Sequence, residues 1–310
     1  MRDSIESAQP PALTIQGLVK RYGNGVLALD GIDLQVAQGE LFAILGPNGA
    51  GKSTLINIIA QVTGKSEGQV QLFGVDLDRS AQQAKLQVGI TPQEIALDPF
   101  FTVREVLINH AGYYGERKPH AYVDHLLEQL GLTEHADKRT RQLSGGMKRR
   151  LTVAKSLVHK PQLIILDEPT AGVDVALRRD LWAFVRQLHQ DGVTVILTTH
   201  YLEEAQELAE RVAIINQGKL IACERTDKLL ATFGSRRIEI QWQPGSPEPA
   251  ALPQGLQWRA EEAQAAGNLK EAAIPELLAW AAQQGGAIRD LRMEPPRLED
   301  VYLQLTGEAS

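Results

Sequence analysis

A glycine-rich segment carries the strongest chemical signal in the sequence. Residues 46–53 read Gly-Pro-Asn-Gly-Ala-Gly-Lys-Ser and lie between an apolar run and a helical pattern. Glycines let consecutive backbone N–H groups approach an anion, and the following helix adds unpaired donors and a partial positive charge. Lys52 suits β- and γ-phosphates, and the Ser53 hydroxyl is a hard oxygen ligand for Mg²⁺. The segment predicts a phosphate-binding loop; the alternative is a chance glycine-rich turn.

Two adjacent carboxylates follow a second apolar run, Leu163-Ile-Ile-Leu166. Ligands of doubly wound sheets bind at the carboxyl ends of the strands, where this run would place Asp167 and Glu168. Asp167 is predicted to hold Mg²⁺ directly or through water, and Glu168 to act as general base for a water facing the γ-phosphate. The alternative is a strand that ends in solvent at an acidic turn.

A second predicted helix start contains the tripeptide Ser144-Gly145-Gly146. Ser144 is a favourable N-cap, so the segment could be only a capped helix. The functional interpretation is that this helix start also binds phosphate. One nucleotide does not need two phosphate-binding helix starts from one chain. Two chains arranged head to tail would instead give each nucleotide one glycine-rich loop and one Ser-Gly-Gly segment. The next four residues, Met147–Arg150, are interpreted as a solvated basic face, with phosphate or partner contact as the alternative.

Periodicity places these motifs on an alternating arrangement of strands and helices. We expect strands at 13–36 (two, around a turn at 23–25), 41–45, 69–73, 88–91, 163–166 and 193–197, a hairpin at 212–222, and helices at 53–61, 103–114, 121–130, 144–158 and 176–190. After about Leu230 the composition shifts: a strand at 237–242 is followed by a segment rich in proline, glycine and alanine at 244–253, a helix at 274–282, a strand at 287–293 and a helix at 298–305.

Composition limits the class of protein. The 310 residues carry 32 basic and 38 acidic side chains, a net charge of −6, which argues against binding nucleic acid through bulk charge. One cysteine, Cys223, excludes an intrachain disulfide and a cysteine-based metal cluster. The charged, proline-containing N-terminus does not resemble a signal peptide, and no apolar run approaches a membrane span. We therefore expect a soluble, cytoplasmic chain that reaches a membrane only through a partner.

A Ser-Gly-Gly segment just before an apolar strand and an acidic pair resembles the signature of ABC ATPases. Further landmarks of that family follow in order: Tyr22 where an aromatic stacks on adenine, Gln93 of the Q-loop, Asp174 of the D-loop (with Ala171 and Val173 replacing the commoner Ser and Leu), and the switch histidine His200. Each has a simpler alternative. Tyr22 could be an ordinary aromatic at the end of a strand, and Gln93 a solvated loop residue. Asp174 could be only a helix N-cap, and His200 a helix-start residue without a ligand.

The resemblance covers about residues 12–228 and implies an α/β fold. It implies a P-loop NTPase cassette with a mixed sheet core, an antiparallel β edge and a helical subdomain at about 94–160, followed by a small α+β accessory domain at 234–310. It also implies ATP and Mg²⁺ as cofactors. Glu168, His200 and Gln93 are then the catalytic candidates, and Ser53, Gln93 and Asp167 the metal ligands. The remaining nucleotide-binding candidates are Tyr22, Gly46, Pro47, Asn48, Gly49, Ala50, Gly51, Lys52, Thr54, Ser144, Gly145, Gly146 and Asp174.

Within the family, the chain resembles the separate ATP-binding subunit of an ABC-2-type exporter. The resemblance lies in residues 112–115, 143–150 and 199–205 and in the tail helix at 298–303. It implies an ATP-bound homodimer and an integral membrane permease as partner at the inner face of the membrane, and no nucleic acid. Four aromatic residues of the helical middle are predicted to form the docking groove, or else the subdomain core: Phe100, Phe101, Tyr113 and Tyr114.

Other function classes remain alternatives. A non-transport ABC ATPase could regulate a soluble complex, although ribosome-associated members usually carry two cassettes and DNA-repair members a long coiled coil. A non-catalytic regulator is disfavoured because Lys52, Asp167, Glu168 and His200 are all present.

Overall fold

The computed structural model describes residues 9–249, 251–284 and 287–307, in two compact units, 1–223 and 224–310. The strands are β1 Leu13–Arg21, β2 Leu27–Val36, β3 Leu41–Leu45, β4 Glu67–Leu72, β5 Val75–Asp76, β6 Val88–Thr91, β7 Leu163–Asp167, β8 Thr194–Thr199, β9 Arg211–Asn216, β10 Lys219–Arg225, β11 Arg236–Trp242, β12 Leu256–Arg259, β13 Gln264–Leu269 and β14 Ile288–Glu294. The helices are α1 Lys52–Ile59, α2 Ala81–Gln87, α3 Val103–Tyr113, α4 His120–Gln129, α5 Gly145–Leu157, α6 Val175–Gln190, α7 Leu202–Leu208, α8 Thr226–Phe233, α9 Ile274–Gln283 and α10 Leu298–Thr306.

A six-stranded sheet forms the centre of the first unit, in the order β10-β9-β3-β8-β7-β6. The pairs β3/β8, β3/β9, β7/β8 and β6/β7 are parallel. Every residue of β3, β7 and β8 is buried, as expected for parallel strands covered on both faces, and this explains why their sequences are almost continuously apolar. The predicted mixed α/β fold is confirmed.

A second sheet in this unit is antiparallel, with the order β2-β1-β4-β5. Its inward side chains join those of the central sheet and of α1 in one core, which includes Leu13, Leu29, Phe42 and Leu55. The predicted turn at residues 23–25 connects β1 and β2. This edge sheet therefore packs against the helix that follows the glycine-rich loop and fixes its position.

The middle of the chain is helical, as the periodicity predicts. Helix α3 begins with a capping box in which Thr102 and Glu105 each accept a hydrogen bond from the other's backbone N–H. Helix α5 packs against strand β6, where Gly89 allows the close approach: a Cβ at this position would lie 2.0 Å from the carbonyl oxygen of Ser156. The described helices here are short, and none is long and apolar enough to cross a membrane.

The second unit has its own sheet and its own core. Its antiparallel strands have the order β12-β13-β11-β14. Trp242 is 2% exposed and contacts the rings of Trp258 and Trp280 edge to face, with centroids 5.1 and 6.1 Å away. Leu277 of α9 completes this core. The alternation at 237–242 was therefore a reliable strand signal, because every second residue of β11 is buried.

Several elements have no clear sequence signal. Helices α2 and α8 and strands β5, β12 and β13 are short or rich in residues with weak periodicity. Strand β13, for example, reads Gln-Ala-Ala-Gly-Asn-Leu, a composition that does not favour a strand. It forms a strand because β11 and β12 flank it and pair with its backbone.

Candidate nucleotide-binding and catalytic site

The order of the central strands brings the separate sequence motifs to one edge of the sheet. Strands β3, β8, β7 and β6 are consecutive neighbours, and their registers align Leu45 with Thr199, Asp167 with Thr198, and Thr91 with Leu166. The segments that leave these four carboxyl ends contain the glycine-rich loop, His200, Glu168 and Gln93, respectively. This is the edge at which open α/β sheets bind ligands.

The glycine-rich loop adopts a conformation that larger residues could not maintain. Gly51 has a φ of 111°, and a Cβ there would lie 2.6 Å from the carbonyl oxygen of Ala28. A Cβ at Gly46 would lie 2.3 Å from the carbonyl oxygen of Ile215. Pro47 and Ala50 close the turn through a 3.1 Å backbone hydrogen bond, while Asn48 and Gly49 are exposed. The loop therefore passes directly into α1, as the motif predicts.

The ammonium group of Lys52 lies inside this loop. Its Nζ donates to the carbonyl oxygens of Gly46 at 2.6 Å and Pro47 at 3.1 Å, and the residue is 6% exposed. Burial lowers the pKa of Lys52, and the nearby carboxylates of Glu168 and Asp167 oppose this shift. A cation held by two carbonyl groups on a flexible stem can turn toward the phosphate oxygens of a nucleotide.

The carboxylate of Asp167 is buried at the end of β7. Burial raises its pKa above the usual value, although a hydrogen bond donated by the Thr198 hydroxyl works in the opposite direction. The positive charges of Lys52 and Arg149 also favour the ionised form, but the effect of burial on the pKa is larger. A divalent cation is the ligand that would stabilise the charged form.

Glu168 is the centre of the candidate catalytic group. Its Oε2 accepts a 3.1 Å hydrogen bond from Gln93 Nε2, and its Oε1 lies 3.3 Å from Nδ1 of His200. Its backbone has a φ of 48°, a left-handed conformation that residues with a Cβ rarely adopt. The backbone N–H of Glu168 donates to the carbonyl oxygen of Thr198 at 3.0 Å and so maintains this turn. The three side chains proposed from sequence as catalytic are thus adjacent.

The predicted magnesium ligands have suitable donor chemistry. Ser53 is exposed at the start of α1, and the Gln93 amide uses its nitrogen toward Glu168, which leaves its carbonyl oxygen free for a cation. With Asp167 they offer hydroxyl, amide and carboxylate oxygens, which suit Mg²⁺; phosphate and water normally complete its coordination. Within residues 9–249, 251–284 and 287–307, no group of three or more His, Cys, Asp or Glu side chains is placed to hold a metal ion.

Tyr22 lies beside the first turn of α1. Its hydroxyl is 3.3 Å from the Thr54 hydroxyl, Lys20 Nζ lies 4.9 Å from its ring centroid, and the residue is 36% exposed. The partly exposed ring is therefore linked to the first turn of α1, directly after the glycine-rich loop.

Ser144 and Asp174 both cap helices. Ser144 accepts a hydrogen bond from the backbone N–H of Met147 at 3.3 Å, and Asp174 accepts one from Leu177 at 2.9 Å. Ser144 and Gly145 are exposed, whereas a Cβ at Gly146 would lie 2.0 Å from a methyl carbon of Leu177. The capping roles are present, and the exposed start of α5 is also accessible to a ligand or a second chain.

The interpretation of residues 147–150 as a solvated basic face is wrong for Arg149, which is 2% exposed. Its guanidinium donates to backbone carbonyl oxygens of the segments around Gln93 and Glu168. Sequence analysis missed this residue because adjacent basic residues on a helix normally face solvent. The helical period was the available signal, since Arg149 lies three and four residues before Thr152 and Val153, two further buried positions of α5.

Comparisons with known proteins agree with this geometry. The sequence profile described as "ABC transporter" matches residues 29–171. The chain is 37% identical over 305 residues to the "Daunorubicin resistance ATP-binding protein DrrA3" of Streptomyces coeruleorubidus, with 96% of each chain covered. It is 39% identical over 300 residues to the "Nod factor export ATP-binding protein I" of Burkholderia thailandensis, covering 95% of this chain and 97% of that protein.

Solved structures show the same cassette. A dimeric ATP-binding cassette in a post-hydrolysis state, bound to ADP and Pi, superposes with a TM-score of 0.63 at 26% identity, covering 69% of this chain and 98% of the other. An ATP-binding subunit of an ABC transporter superposes with a TM-score of 0.66 at 25% identity, covering 72% and 93%. The glycine-rich loop, the acidic pair and the nearby glutamine and histidine thus lie in a known ATPase fold. The chain belongs to the ABC transporter ATP-binding family, whose members bind ATP with Mg²⁺ and hydrolyse it.

Proposed function

We propose that this chain is the ATP-hydrolysing motor subunit of a two-component, ABC-2-type exporter. The observation that carries the hydrolytic part of the proposal is the contact of Glu168 with both Gln93 and His200 at the end of the sheet that holds the glycine-rich loop. In this proposal residues 12–228 form the cassette and residues 234–310 an accessory domain. The two relatives named above, whose names refer to daunorubicin resistance and Nod factor export, support the direction of transport.

Hydrolysis requires positioning and charge neutralisation more than covalent chemistry. Bound Mg²⁺ would neutralise charge on the β- and γ-phosphates, with Ser53, Gln93 and Asp167 as its protein ligands. Lys52 would exchange its carbonyl partners for phosphate oxygens. Glu168 would accept the proton of the attacking water, and His200 would donate a hydrogen bond to the γ-phosphate. The hydrogen bond from Gln93 orients the Glu168 carboxylate before the nucleotide binds.

Two copies of the chain would enclose two nucleotides head to tail. The start of α5, with exposed Ser144 and Gly145, offers unpaired backbone donors that suit a γ-phosphate bound to the other copy. The dimeric cassette bound to ADP and Pi supports this arrangement. The γ-phosphate would then join the two copies, and hydrolysis would release them.

A cavity between the helical subdomain and the sheet is the proposed docking site for a permease. It has a volume of about 680 Å³ and is lined by Tyr113, Tyr114 and mostly apolar side chains. Among the described residues that line it are Lys85 and Lys155 and no carboxylate. We infer that the occupant is a short cytoplasmic helix of the permease with an apolar face and an acidic side chain. This contact would hold the chain at the inner face of the membrane.

The predicted docking aromatics do not all line this cavity. Phe100, Phe101 and Tyr113 are 71%, 42% and 85% exposed, so they do not form the subdomain core. Phe101 and Tyr113 line a second cavity next to it, and Phe100 lines neither of the two. The cavity with Lys85 and Lys155 is therefore the better defined docking site.

The motor function is tested by the ATP-dependent dimer. Glu168→Gln should retain ATP binding, lose nearly all turnover and elute as a dimer from a size-exclusion column with ATP and Mg²⁺. The unchanged protein without nucleotide is the control for the elution position. A hydrolysis-deficient variant that binds ATP and still elutes as a monomer would contradict the head-to-tail dimer.

The docking site is tested by co-expression with a membrane permease that co-purifies with the unchanged chain. Tyr113→Glu and Lys155→Glu should abolish co-purification of that membrane protein, because the first adds a negative charge to the apolar lining of the cavity and the second reverses the charge of a lining lysine. Lys138→Glu, at an exposed position outside the cavity, is the matched charge-reversal control. Equal recovery with all three folded variants would exclude this cavity as the docking site.

A further inference from the structure

Arg149 donates hydrogen bonds to five backbone carbonyl groups. Its Nε donates to Pro169 at 2.9 Å, and its Nη1 donates to Pro92 at 2.8 Å and Gln93 at 3.0 Å. Its Nη2 donates to Asp167 at 2.8 Å and also to Glu168. A guanidinium has five N–H groups in a fixed plane, so every donor of Arg149 has a partner.

The five acceptors belong to the two segments that carry Gln93 and Glu168, two of the three candidate catalytic residues. Pro92 and Gln93 follow β6, whereas Asp167 to Pro169 end β7 and begin the loop after it. Successive carbonyl groups of an extended strand point in opposite directions, but those of Asp167 and Glu168 meet at one nitrogen. The left-handed turn at Glu168, with a φ of 48°, makes this convergence possible.

The position of Arg149 on α5 extends the connection to the proposed docking cavity. Thr152, Lys155 and Ser156 of the same helix line that cavity, as do Pro92 and Ala96 of the Gln93 segment. An occupant of the cavity would therefore contact both the helix that carries Arg149 and one of the segments that Arg149 binds.

We propose that Arg149 is a positioning residue that fixes the carboxylate of Glu168 relative to the Gln93 segment by binding the backbone of both. The proposal rests on the catalytic role of Glu168 given above. Arg149 contacts only backbone carbonyls there, so it acts on the geometry of Glu168 and not on the nucleotide. A change in the Gln93 segment would be transmitted to Glu168 through one rigid group.

The test uses the full chain with ATP and Mg²⁺. Arg149→Lys retains the positive charge but has a single nitrogen that cannot reach both segments. We expect kcat to fall roughly 10- to 100-fold, as for a small misplacement of a catalytic group, with KM for ATP changed less than about twofold. Arg150→Lys is the matched control, since Arg150 is the next residue and binds a single carbonyl, that of Leu130, at 3.0 Å. Its kcat should stay at the wild-type value.

A double-mutant cycle distinguishes positioning of Glu168 from a loss of activity that is independent of Glu168. If Arg149 acts through Glu168, Arg149→Lys combined with Glu168→Gln should be no slower than Glu168→Gln alone. Additive losses, or wild-type turnover in Arg149→Lys, would overturn the proposal. Wild-type turnover in Glu168→Gln alone would instead contradict the proposed role of Glu168.

A second variant covers the case in which Arg149→Lys does not fold. Arg149→Gln keeps two N–H donors and removes the buried charge, and the same cycle can be measured with it. Circular dichroism and ATP binding establish whether each variant is folded. If both variants unfold, Arg149 is a structural residue and the proposal is wrong.

Discussion

At the scale of single residues, the site combines strain with uncompensated charge. A left-handed conformation at a residue such as Glu168 costs about 1–3 kcal/mol and persists only when neighbouring groups determine it. The backbone bonds to Thr198 and Arg149 do so here. Asp167 and Lys52 both have pKa values shifted by burial toward their neutral forms. These costs are offset when phosphate and Mg²⁺ bind.

Lys52→Ala should weaken ATP binding. The change removes the ammonium group that the loop presents to the β- and γ-phosphates, and a charge-assisted hydrogen bond contributes about 1.5–3 kcal/mol, or roughly 10- to 100-fold in affinity. Calorimetric titration with ATP measures the loss of affinity. Lys65→Ala is the control, because Lys65 forms its ion pair with Asp78 at a surface site. Unchanged affinity in Lys52→Ala would remove its assigned role.

Asp167 should make the stability of the nucleotide-free protein depend on pH. Because burial raises the pKa of Asp167 in the folded state, the folded chain binds this proton more tightly than the unfolded chain. The contribution of Asp167 to the free energy of unfolding is therefore fully present below its pKa in the unfolded chain, about 4. This contribution is lost as the pH rises through the pKa of Asp167 in the folded chain. Asp167→Asn removes this dependence.

The prediction for Asp167→Asn is thus a stability difference that grows with pH. Urea unfolding from about pH 4 to pH 7, without nucleotide or Mg²⁺, should show the variant gaining stability relative to the wild type. The same variant should lose Mg²⁺-dependent hydrolysis. A relative stability that decreases with pH would show that Asp167 is stabilised in its ionised form.

At the scale of elements, close packing of α5 against the sheet fixes the site. The hydroxyl of Thr91 on β6 donates to that of Ser156 on α5 at 2.9 Å, and Gly89 lets the backbones approach. The same helix is capped by Ser144, carries Arg149 and lines the proposed docking cavity. Its position relative to β6 therefore affects three parts of the mechanism together.

Gly89→Ala should destabilise this packing. The new methyl carbon would lie 2.0 Å from the backbone oxygen of Ser156, which cannot rotate away, so α5 must move. Overpacking of this kind costs roughly 1–3 kcal/mol. Urea unfolding measures the cost, and Gly64→Ala, with no atom within 4 Å of the new Cβ, is the matched control. Equal effects of the two substitutions would contradict the close approach.

At the scale of the whole molecule, the first unit places the start of α5 where a second chain can reach it. Ser144 is exposed and already caps its own helix, and its hydroxyl and the neighbouring N–H groups remain accessible. The second unit has an independent core around Trp242.

Ser144→Arg should separate nucleotide binding from dimer formation. A long cationic side chain at this exposed position would block the proposed contact between copies and leave the glycine-rich loop of each chain intact. In the Glu168→Gln background, the variant should bind ATP but remain a monomer on size exclusion. Ser80→Arg, at the N-cap of α2, is the matched control. An ATP-dependent dimer in Ser144→Arg would refute the contribution of Ser144 to the second copy's site.

The sequence by itself determined the chemistry of the site and most of its elements. Gly46 to Ser53, Asp167 and Glu168 could be assigned to phosphate and metal binding because their residue types and their places after apolar runs are local properties. The strands β3, β7 and β8 were predictable for the same reason, since burial on both faces produces continuous apolar runs.

Only the tertiary structure decided which of these residues meet. Gln93 and Glu168 are 75 positions apart in sequence, and the contact exists because β6 and β7 pair in parallel. The hydrogen-bond partners of Arg149 were equally out of reach, because its five acceptors are backbone carbonyls, which leave no trace in side-chain identity. Strand pairing and backbone hydrogen bonding depend on the path of the whole chain. Residue types indicate which positions are buried, but not which backbone groups pair with each other.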